Sequence, residues 1–543
     1  MSTIRFLTIT FGLSFLISCS NYKKKELKHP NILFAISDDQ SFHTSFVGTK
    51  FVKTPAFDRI AKEGVFFTNC IAGSPGCAPS RSAIVTGRHH WQNEQSGQHW
   101  SSWMKKYVPF IDLLEKKGYS TGYTGKGVDP FMYAQDENDS LLRFNNAAGI
   151  AYNKINYVPG TPADERPANG ISTVNYFENF KYFIENKKKD EPFFFWYGAR
   201  EPHRPYEENS WKELDKNLEN AEVPPMLPDN ETIRADLLDY AVEIEWFDNH
   251  LGRMIEYLDQ TGELENTIII VTSDNGMPFL NAKATCYNFG IHVPLAVRYP
   301  KKIPGNRIID DLVGFIDLAP TILDFTHTGI EGMLPITGKS LYKTLTSKKE
   351  GLIDKNRKYV YSGRERHSSA RHNNLGYPQR AIRSSDFLLI WNAKPNRWPV
   401  GSPQKASPNS SDELYPMLGL DENGKYMQNS DASVFTDIAE SPTKSFVIEN
   451  WNNDEIKPFF KRAFLKRPEF EFFDIKVDPF CITNLIDYPE HNDIIQTMKN
   501  ELFKELENTN DPRVVGPDKE IFDKYTRYSS INKFPEKVKI LNY

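Results

Sequence analysis

Two short runs of oxygen-bearing side chains follow apolar segments of this 543-residue sequence and could bind a metal ion. Asp38 and Asp39 come directly after "NILFAIS", and Asp274 and Asn275 come directly after "TIIIVTS". Carboxylates that lie side by side repel each other and shift their pKa values, and a divalent cation removes that repulsion. Oxygen ligands favour calcium or magnesium over zinc. One such pair could simply cap a turn, but two pairs after two apolar strands favour a metal site.

A cysteine with no obvious disulfide partner lies in the stretch "SPGCAPSRSAIVTGRHH", residues 74–90. Cys77 occupies a Cys-x-Pro-x-Arg segment there, whereas Cys70, Cys286 and Cys481 are scattered along the chain. This scatter predicts neither a disulfide framework nor a zinc site, although a single bridge such as Cys70–Cys286 stays open. Acidic neighbours raise the pKa of a thiol and make it a poor nucleophile. Cys77 therefore has no ready explanation as a reactive thiol.

The segments that must position these residues alternate between apolar strands and amphipathic helices. "NILFAIS", "FFFWY" and "TIIIV" are nearly all apolar, which is typical of strands covered on both faces. Their alternation with helices predicts an α/β fold, a large doubly wound mixed sheet flanked by helices. Ligands bind at the carboxyl ends of strands in such sheets, so the polar residues that follow four strands are expected to meet at one site. After about Pro320, shorter strands and a helix in "HNDIIQTMKNELFKELENT" predict a smaller C-terminal α+β subdomain.

The sequence predicts four segments along the chain. Residues 1–18 have the pattern of a signal peptide, because their apolar run is too short to span a bilayer. "LISC" resembles the bacterial lipobox, so Cys19 is predicted to carry a lipid and residues 19–29 to form a polar tether. A catalytic domain is predicted over residues 30–375 and the C-terminal subdomain over residues 376–543. The chain is therefore expected to be an exported bacterial lipoprotein, anchored through its lipid to the outer membrane.

The segment "CAPSRSAIVTGR" resembles the signature of the type I, formylglycine-dependent sulfatases. Further motifs follow in the order of this family as far as about Leu485, which implies its alkaline phosphatase-like fold. In this family a maturation enzyme oxidises the signature cysteine, so Cys77 is expected to become formylglycine, the nucleophile. The resemblance implies one calcium ion, held by Asp38, Asp39, residue 77, Asp274 and Asn275. It also implies that Arg81 braces the formylglycine, that Lys126 and Lys283 hold the sulfate oxygens, and that His203 protonates the leaving oxygen.

The chain departs from the family pattern at several positions near the predicted site. Val128, in "GKGVDP", stands where many sulfatases have a histidine that helps to release sulfate. Either Asp129, a nearby histidine such as His90, or water is expected to take that role, or turnover is expected to be slower. Arg200 occupies the first position of "REPH", where the family often has histidine, and is either a contact for an anionic sugar or a surface residue. His292 stands where the family commonly has arginine.

The predicted function is hydrolysis of sulfate esters in a sulfated polysaccharide or its oligosaccharides, with algal polymers such as ulvan or carrageenan as candidates. "DNGMPF" and "NDPRVVGPD" resemble the heparan N-sulfatase (sulfamidase) branch, so an N-sulfoglucosamine sulfohydrolase is an alternative. A phosphodiesterase or phosphonate hydrolase of the same superfamily and a non-catalytic glycan-binding relative are the others. The formal net charge of −5 gives no indication of a nucleic-acid partner. The predicted substrate contacts are His90, Arg200, His292, and Arg364 and His367 of the basic loop "SGRERHSSARHNN".

Overall fold

The fold is described from a computed structural model for residues 29–214, 216–409 and 413–538. The predicted signal peptide, the lipidation site at Cys19 and residues 19–28 of the tether lie outside the described residues. The strands are β1 (Asn31–Ser37), β2 (Val65–Ile71), β3 (Ser101–Ser102), β4 (Ser120–Gly125), β5 (Phe131–Met132), β6 (Phe193–Gly198), β7 (Thr267–Ser273), β8 (His292–Arg298), β9 (Arg307–Ile309), β10 (Val313–Gly314), β11 (Val360–Arg364), β12 (Gln379–Arg383), β13 (Phe387–Asn392) and β14 (Phe470–Asp474).

Helices connect most of these strands. They are α1 (Pro55–Glu63), α2 (Cys77–Thr86), α3 (Phe110–Lys116), α4 (Tyr176–Asn186), α5 (Glu231–Gln260), α6 (Asn288–Ile291), α7 (Leu318–Thr326), α8 (Tyr342–Thr346), α9 (Pro442–Glu449), α10 (Lys457–Phe464), α11 (Asn492–Asn508), α12 (Pro512–Val515) and α13 (Ile521–Lys524). None of the helices described here is both long enough and apolar enough to cross a lipid bilayer.

The large sheet has eight strands in the order β10-β2-β8-β7-β1-β6-β4, with β9 paired to β2. Strands β7, β1, β6 and β4 are neighbours and run parallel to one another. Strand β8 is antiparallel to both β7 and β2, which makes the sheet mixed. The predicted fold class, a large mixed sheet flanked by helices with a smaller C-terminal subdomain, is therefore confirmed.

Alternate residues of β1 supply two separate apolar cores, one on each face of the sheet. Leu33 and Ala35 pack in the core that includes α1, α4 and α5. Ile32, Phe34 and Ile36 pack in the core that includes α2, α3 and α7. Because successive side chains of a strand point to opposite faces, a strand covered on both faces must be apolar at every position. This requirement explains the unbroken apolar run from Ile32 to Ile36 within β1.

Strands β11 to β14 form a separate four-stranded antiparallel sheet. One face of this sheet packs against α11 through Leu389, Phe472 and Met498. Its first strand, β11, lies within the residues 30–375 that were predicted to form the catalytic domain, so the predicted boundary crosses this sheet. Residues of α9 and α10 also contribute to the core around α5, because their apolar faces cover the large sheet rather than the small one. The C-terminal part of the chain thus forms the small sheet and also contributes to the core on one face of the large sheet.

Candidate active site

The carboxyl ends of the four parallel strands bring the predicted site residues to one edge of the large sheet. Ser37 of β1 is in register with Ser273 of β7, so Asp38 and Asp274 leave the sheet side by side. Gly125 of β4 is in register with Gly198 of β6, so Lys126 and the loop after β6 leave at the same edge. Parallel pairing alone therefore assembles residues that are far apart in sequence.

Helix α2 presents Cys77 to this edge as its first residue. The side chain is buried, with an exposed fraction of 1%, and the cysteine is not in a disulfide. Ligand atoms of Asp38, Cys77 and Asp274 all lie within 4.8 Å of one another. Burial raises the pKa of the Cys77 thiol, and Asp38 and Asp274 act in the same direction against the neighbouring lysines. An unmodified thiol in this position is protonated at neutral pH and is a weak nucleophile.

Arg81 lies one turn further along α2 and is fully buried beneath the acidic residues. Its Nε donates to Asp274 Oδ2 at 2.7 Å. Its Nη1 donates to the carbonyl oxygens of Lys126 and Gly127, each at 2.9 Å. The guanidinium therefore fixes the orientation of one metal-ligand candidate and the path of the loop that carries Lys126.

Two lysines flank the acidic residues. Lys126 Nζ lies 2.5 Å from Asp38 Oδ2, and Lys283 Nζ lies 2.5 Å from Asp39 Oδ2. Burial opposes the charged form of Lys126, but the negative charges around it, Asp38 foremost, together exceed that effect and raise the lysine pKa. Burial likewise opposes the charged form of Lys283, and its acidic neighbours, Asp39 foremost, together raise its pKa. Both ammonium groups are therefore charged and available to an anion above the acids.

The acidic cluster has unsatisfied oxygen atoms that fit a hard cation. Burial and the neighbouring Asp38 raise the pKa of Asp274 to about 7, which is the repulsion expected of two carboxylates without a cation between them. Asp38 Oδ1 and Asn275 Oδ1 are buried and have no hydrogen-bond donor. Asn275 Nδ2 donates to Asp39 Oδ1 at 2.9 Å, so the amide oxygen is the atom left free to coordinate. This donor set fits calcium, which takes carboxylate and amide oxygens.

His203 stands at the rim of the acidic cluster on the loop after β6. Its Nδ1 lies 2.5 Å from the carbonyl oxygen of Arg204, which can only accept a hydrogen bond, so Nδ1 carries a proton. Its Nε2 lies 3.8 Å from Asp39 Oδ2, and the side chain is 41% exposed. Withdrawal from bulk water and the charge of Lys283 lower the pKa of His203 below the usual histidine value. The second nitrogen is therefore free to exchange a proton with a group in the cavity.

A cavity of about 550 Å³ opens above Cys77 and connects these groups. Asp38, Lys126 and His203 line it, together with Trp100 and Arg200 at its wall. Its size suits a small polar ligand such as one or two sugar units. Charged and titratable groups therefore line an open cavity around the buried Cys77.

Comparison with known families shows which family the chain belongs to. The family model described as "Sulfatase" matches residues 30–328, more than half of the chain. The chain belongs to the sulfatase family. A second family model, "N-sulphoglucosamine sulphohydrolase, C-terminal", matches residues 279–417. The chain is therefore an enzyme of the sulfuric ester hydrolase class.

Curated relatives extend this similarity over most of the chain. An N-acetylglucosamine-6-O-sulfatase of Bacteroides thetaiotaomicron is 28% identical over 69% of this chain and 80% of its own. An ulvan-active sulfatase of Formosa agariphila is 24% identical over 94% of this chain and 80% of its own. The human N-sulphoglucosamine sulphohydrolase is 24% identical over 90% of this chain and 92% of its own.

A solved structure has the same fold. It is a complex with its substrate D-glucosamine-2-N,6-O-disulfate, and it superposes with a TM-score of 0.58 at 20% identity over 90% of this chain and 99% of the solved one. At this level of identity the similarity establishes the sulfatase fold.

The structure brings together all nine residues that the sequence assigned to catalysis and metal binding. They are Asp38, Asp39, Cys77, Arg81, Lys126, His203, Asp274, Asn275 and Lys283. Arg200 lies on the cavity wall and is exposed, as a substrate contact requires.

Three predicted substrate contacts of this sulfatase do not line the cavity. His90 is buried with Nδ1 3.2 Å from the carbonyl oxygen of Gly97. His292 stacks on Phe42, and its Nε2 lies 2.8 Å from the carbonyl oxygen of Thr68. Arg364 is buried and donates to Asp437 at 2.8 Å. These side chains have a structural role, because each forms a hydrogen bond with another residue of the protein.

His367 lies behind the site, and His99, which the sequence analysis missed, lies in it. His99 Nε2 is 3.5 Å from Cys77 Sγ, and the ring stacks on that of His367 at 4.7 Å. Burial and the neighbouring His367 lower the pKa of His99 well below the usual value. The sequence signal is a third histidine in the polar stretch "HHWQNEQSGQHW", in which the prediction named His90 instead.

Proposed function

We propose that this sulfatase removes sulfate from the sugars of a sulfated polysaccharide or its oligosaccharides. The observation that carries the proposal is the pair of lysines, Lys126 and Lys283, which contact the two acids Asp38 and Asp39 and whose charges both act on Cys77. Two fixed ammonium groups suit the non-bridging oxygens of a sulfate group. The named relatives act on sulfated amino sugars and on ulvan, which supports a glycan as the substrate.

The proposed reaction uses Cys77 in its formylglycine form, produced by a maturation enzyme, and one calcium ion. When bound, these groups supply an attacking oxygen and a fixed positive charge beside it. Asp38, Asp39, Asp274 and Asn275 hold the calcium, and the unpartnered oxygens of Asp38 and Asn275 support this assignment. We propose calcium as the divalent ion of this site.

The side chains of this protein divide the remaining tasks. Lys126 and Lys283 bind the sulfate oxygens and hold the sulfur over residue 77. Arg81 keeps Asp274 and the Lys126 loop in place through its three hydrogen bonds. His203, when both of its ring nitrogens are protonated, delivers the Nε2 proton to the departing sugar oxygen, while Nδ1 keeps its own proton in the hydrogen bond to the Arg204 carbonyl oxygen. Arg200, exposed on the cavity wall, meets a second anionic group of the sugar.

A sulfamidase acting on N-sulfoglucosamine is the second candidate. The match of residues 279–417 to the C-terminal model of that enzyme favours it, as does the human relative. The same floor would serve both reactions, since the sulfate group is held identically and only the leaving atom differs.

A substrate panel tests the proposed function. The purified, matured enzyme is offered O-sulfated ulvan, carrageenan and glucosamine oligosaccharides, N-sulfoglucosamine and an aryl phosphodiester, and the sulfate released from the sugars or the phenol released from the diester is measured. Release of sulfate from an O-sulfated sugar supports the first candidate, and release from N-sulfoglucosamine alone supports the second. Faster release from the phosphodiester, or cysteine in place of formylglycine in the residue-77 peptide from the native host, contradicts both.

Export as an outer-membrane lipoprotein also remains a proposal, supported by the sequence pattern that ends at Cys19. Metabolic labelling with a radioactive fatty acid is expected to label the wild-type chain and not the Cys19→Ala variant. Equal labelling of both would contradict the anchor.

A further inference from the structure

The loop after β4 provides no proton acceptor at position 128. Val128 is fully buried among the apolar residues on one face of the sheet. His90, considered above as its replacement, is buried away from the cavity. Asp129 lines the cavity, but its carboxylate already accepts a hydrogen bond from Asn146 Nδ2 at 2.9 Å. The candidates for the proton acceptor of residue 77 are therefore another side chain, Asp129 despite that bond, or water.

His99 has the geometry of an acceptor directed at residue 77. Its Nε2 lies 3.5 Å from Cys77 Sγ, and its Nδ1 lies 2.8 Å from the carbonyl oxygen of His367. A carbonyl oxygen can only accept, so Nδ1 must carry the proton of the neutral ring. The lone pair is then on Nε2 and points toward the side chain of residue 77.

The C-terminal part of the chain holds this ring in place. The carbonyl oxygen of His367 accepts a second hydrogen bond, from Arg527 Nη1 at 3.0 Å. The two imidazole rings stack with their centroids 4.7 Å apart. His99 is thus fixed on one side by a hydrogen bond and on its face by a ring, which leaves Nε2 aimed into the cavity before any ligand binds.

We propose that His99 is the catalytic proton acceptor for the oxygen carried by residue 77, in place of the histidine missing at Val128. This inference rests on the proposed function, because it requires residue 77 to carry a hydroxyl group rather than a thiol. The O–H bond of that hydroxyl breaks, an Nε2–H bond forms, and the bonding electron pair stays on the oxygen. Nδ1 keeps its proton throughout, hydrogen-bonded to the carbonyl oxygen of His367, so the ring needs no reorientation.

Histidine-selective ¹⁵N NMR tests the tautomer without using activity. The His99 signal is assigned by its loss in the His99→Gln variant. We expect a protonated Nδ1 and an unprotonated Nε2 in the resting enzyme. A protonated Nε2 would overturn the proposal, because a nitrogen that already carries a proton cannot accept one.

Kinetic and binding measurements on the same variant test the role. We expect His99→Gln to lower kcat by about 10²- to 10⁴-fold, the usual contribution of a positioned proton acceptor. The Kd of the sulfated substrate, measured by calorimetry in a Cys77→Ala background, is expected to change less than twofold. His372→Gln, in the same loop as His367, is the matched control. Mass spectrometry of the residue-77 peptide verifies that maturation is equal in all variants.

The outcomes separate this inference from the proposed function. If the wild-type enzyme releases sulfate and His99→Gln matches it in kcat, the inference fails while the sulfatase function stands. If Asp129→Asn shows the large loss in kcat and His99→Gln does not, the acceptor is Asp129. If the wild-type enzyme releases no sulfate from any sugar, the proposed function fails whatever the NMR tautomer.

Discussion

Calcium is expected to stabilise the folded protein through Asp274, and the Asp274→Asn substitution is expected to abolish this effect. The Asp274 carboxylate accepts from Arg81 Nε at 2.7 Å through Oδ2 and from the backbone N–H of Asp39 at 3.1 Å through Oδ1. An asparagine has one oxygen and one amide nitrogen, so its nitrogen must face one of these two donors. The variant therefore loses a hydrogen bond as well as a metal ligand.

The magnitude follows from the two losses. Breaking a buried, hydrogen-bonded ion pair costs about 3–5 kcal/mol, and the low end applies because Arg81 keeps two carbonyl partners. A ligand at a hundred times its Kd stabilises the folded state by about 2.7 kcal/mol, and that increment disappears with the site. Because the pKa of Asp274 lies at about 7 without a cation, calcium competes with a proton, and its affinity is expected to fall as pH drops below 7.

Thermal unfolding tests the predicted change in stability, and calorimetry tests the predicted calcium affinity. The wild-type protein is unfolded at pH 8 with excess calcium and with a chelator, and the two Tm values are compared. Asp129→Asn is the matched control, because Asp129 is an acid of the same cavity that lies outside the ligand cluster. The reasoning is refuted if Asp274→Asn keeps the wild-type calcium-induced rise in Tm, or if Asp129→Asn loses it.

Three further predictions concern the lysines, a buried arginine partner and a strand end. Lys126→Ala and Lys283→Ala are each expected to lower kcat by about 10²- to 10³-fold, since each removes a fixed charge from the sulfate oxygens; a loss below tenfold in steady-state sulfate release would contradict this. Asp437→Asn is expected to cost about 3–5 kcal/mol in urea unfolding at pH 7, because the carboxylate pairs with two buried arginines. Burial alone would raise the pKa of Asp437, but the two arginines hold it below its ordinary value. The stability difference between the variant and the wild type should therefore shrink as pH falls below about 4 and not as pH rises. Gly198→Ala places a Cβ 1.9 Å from the Lys126 carbonyl oxygen and is expected to lower both Tm and kcat, whereas Gly252→Ala, whose Cβ would meet its nearest neighbour at 3.6 Å, should keep both.

Most residues of the candidate active site could be predicted from the sequence. The apolar segments before Asp38 and Asp274 have the composition of buried parallel strands, and parallel strands end at one edge of the sheet. The Cys77 segment carries its arginine four residues later, one helical turn away, so its geometry is determined by local structure. The strands and helices around these motifs agree with the predicted ones for the same reason, since short-range periodicity specifies them.

The sequence did not predict the domain boundary or the surroundings of residue 77. Strand β11 joins the small sheet by pairing with β12, and no feature of residues 360–364 alone distinguishes that sheet from the large one. His292 and Arg364 are residue types that often contact substrates, but each forms a hydrogen bond with a residue far along the chain. Such pairings depend on how the two units pack.

The sequence by itself determined the reaction class and the residues on the floor of the site, because motifs and strand periodicity act over a few residues or along a single sheet edge. Only the tertiary structure decided which histidine faces Cys77. His99 and His367 are separated by 268 residues, and their hydrogen bond forms where the C-terminal part of the chain packs against the segment after α2. Contacts of this kind arise from the packing of complete surfaces and leave no spacing in the sequence to read.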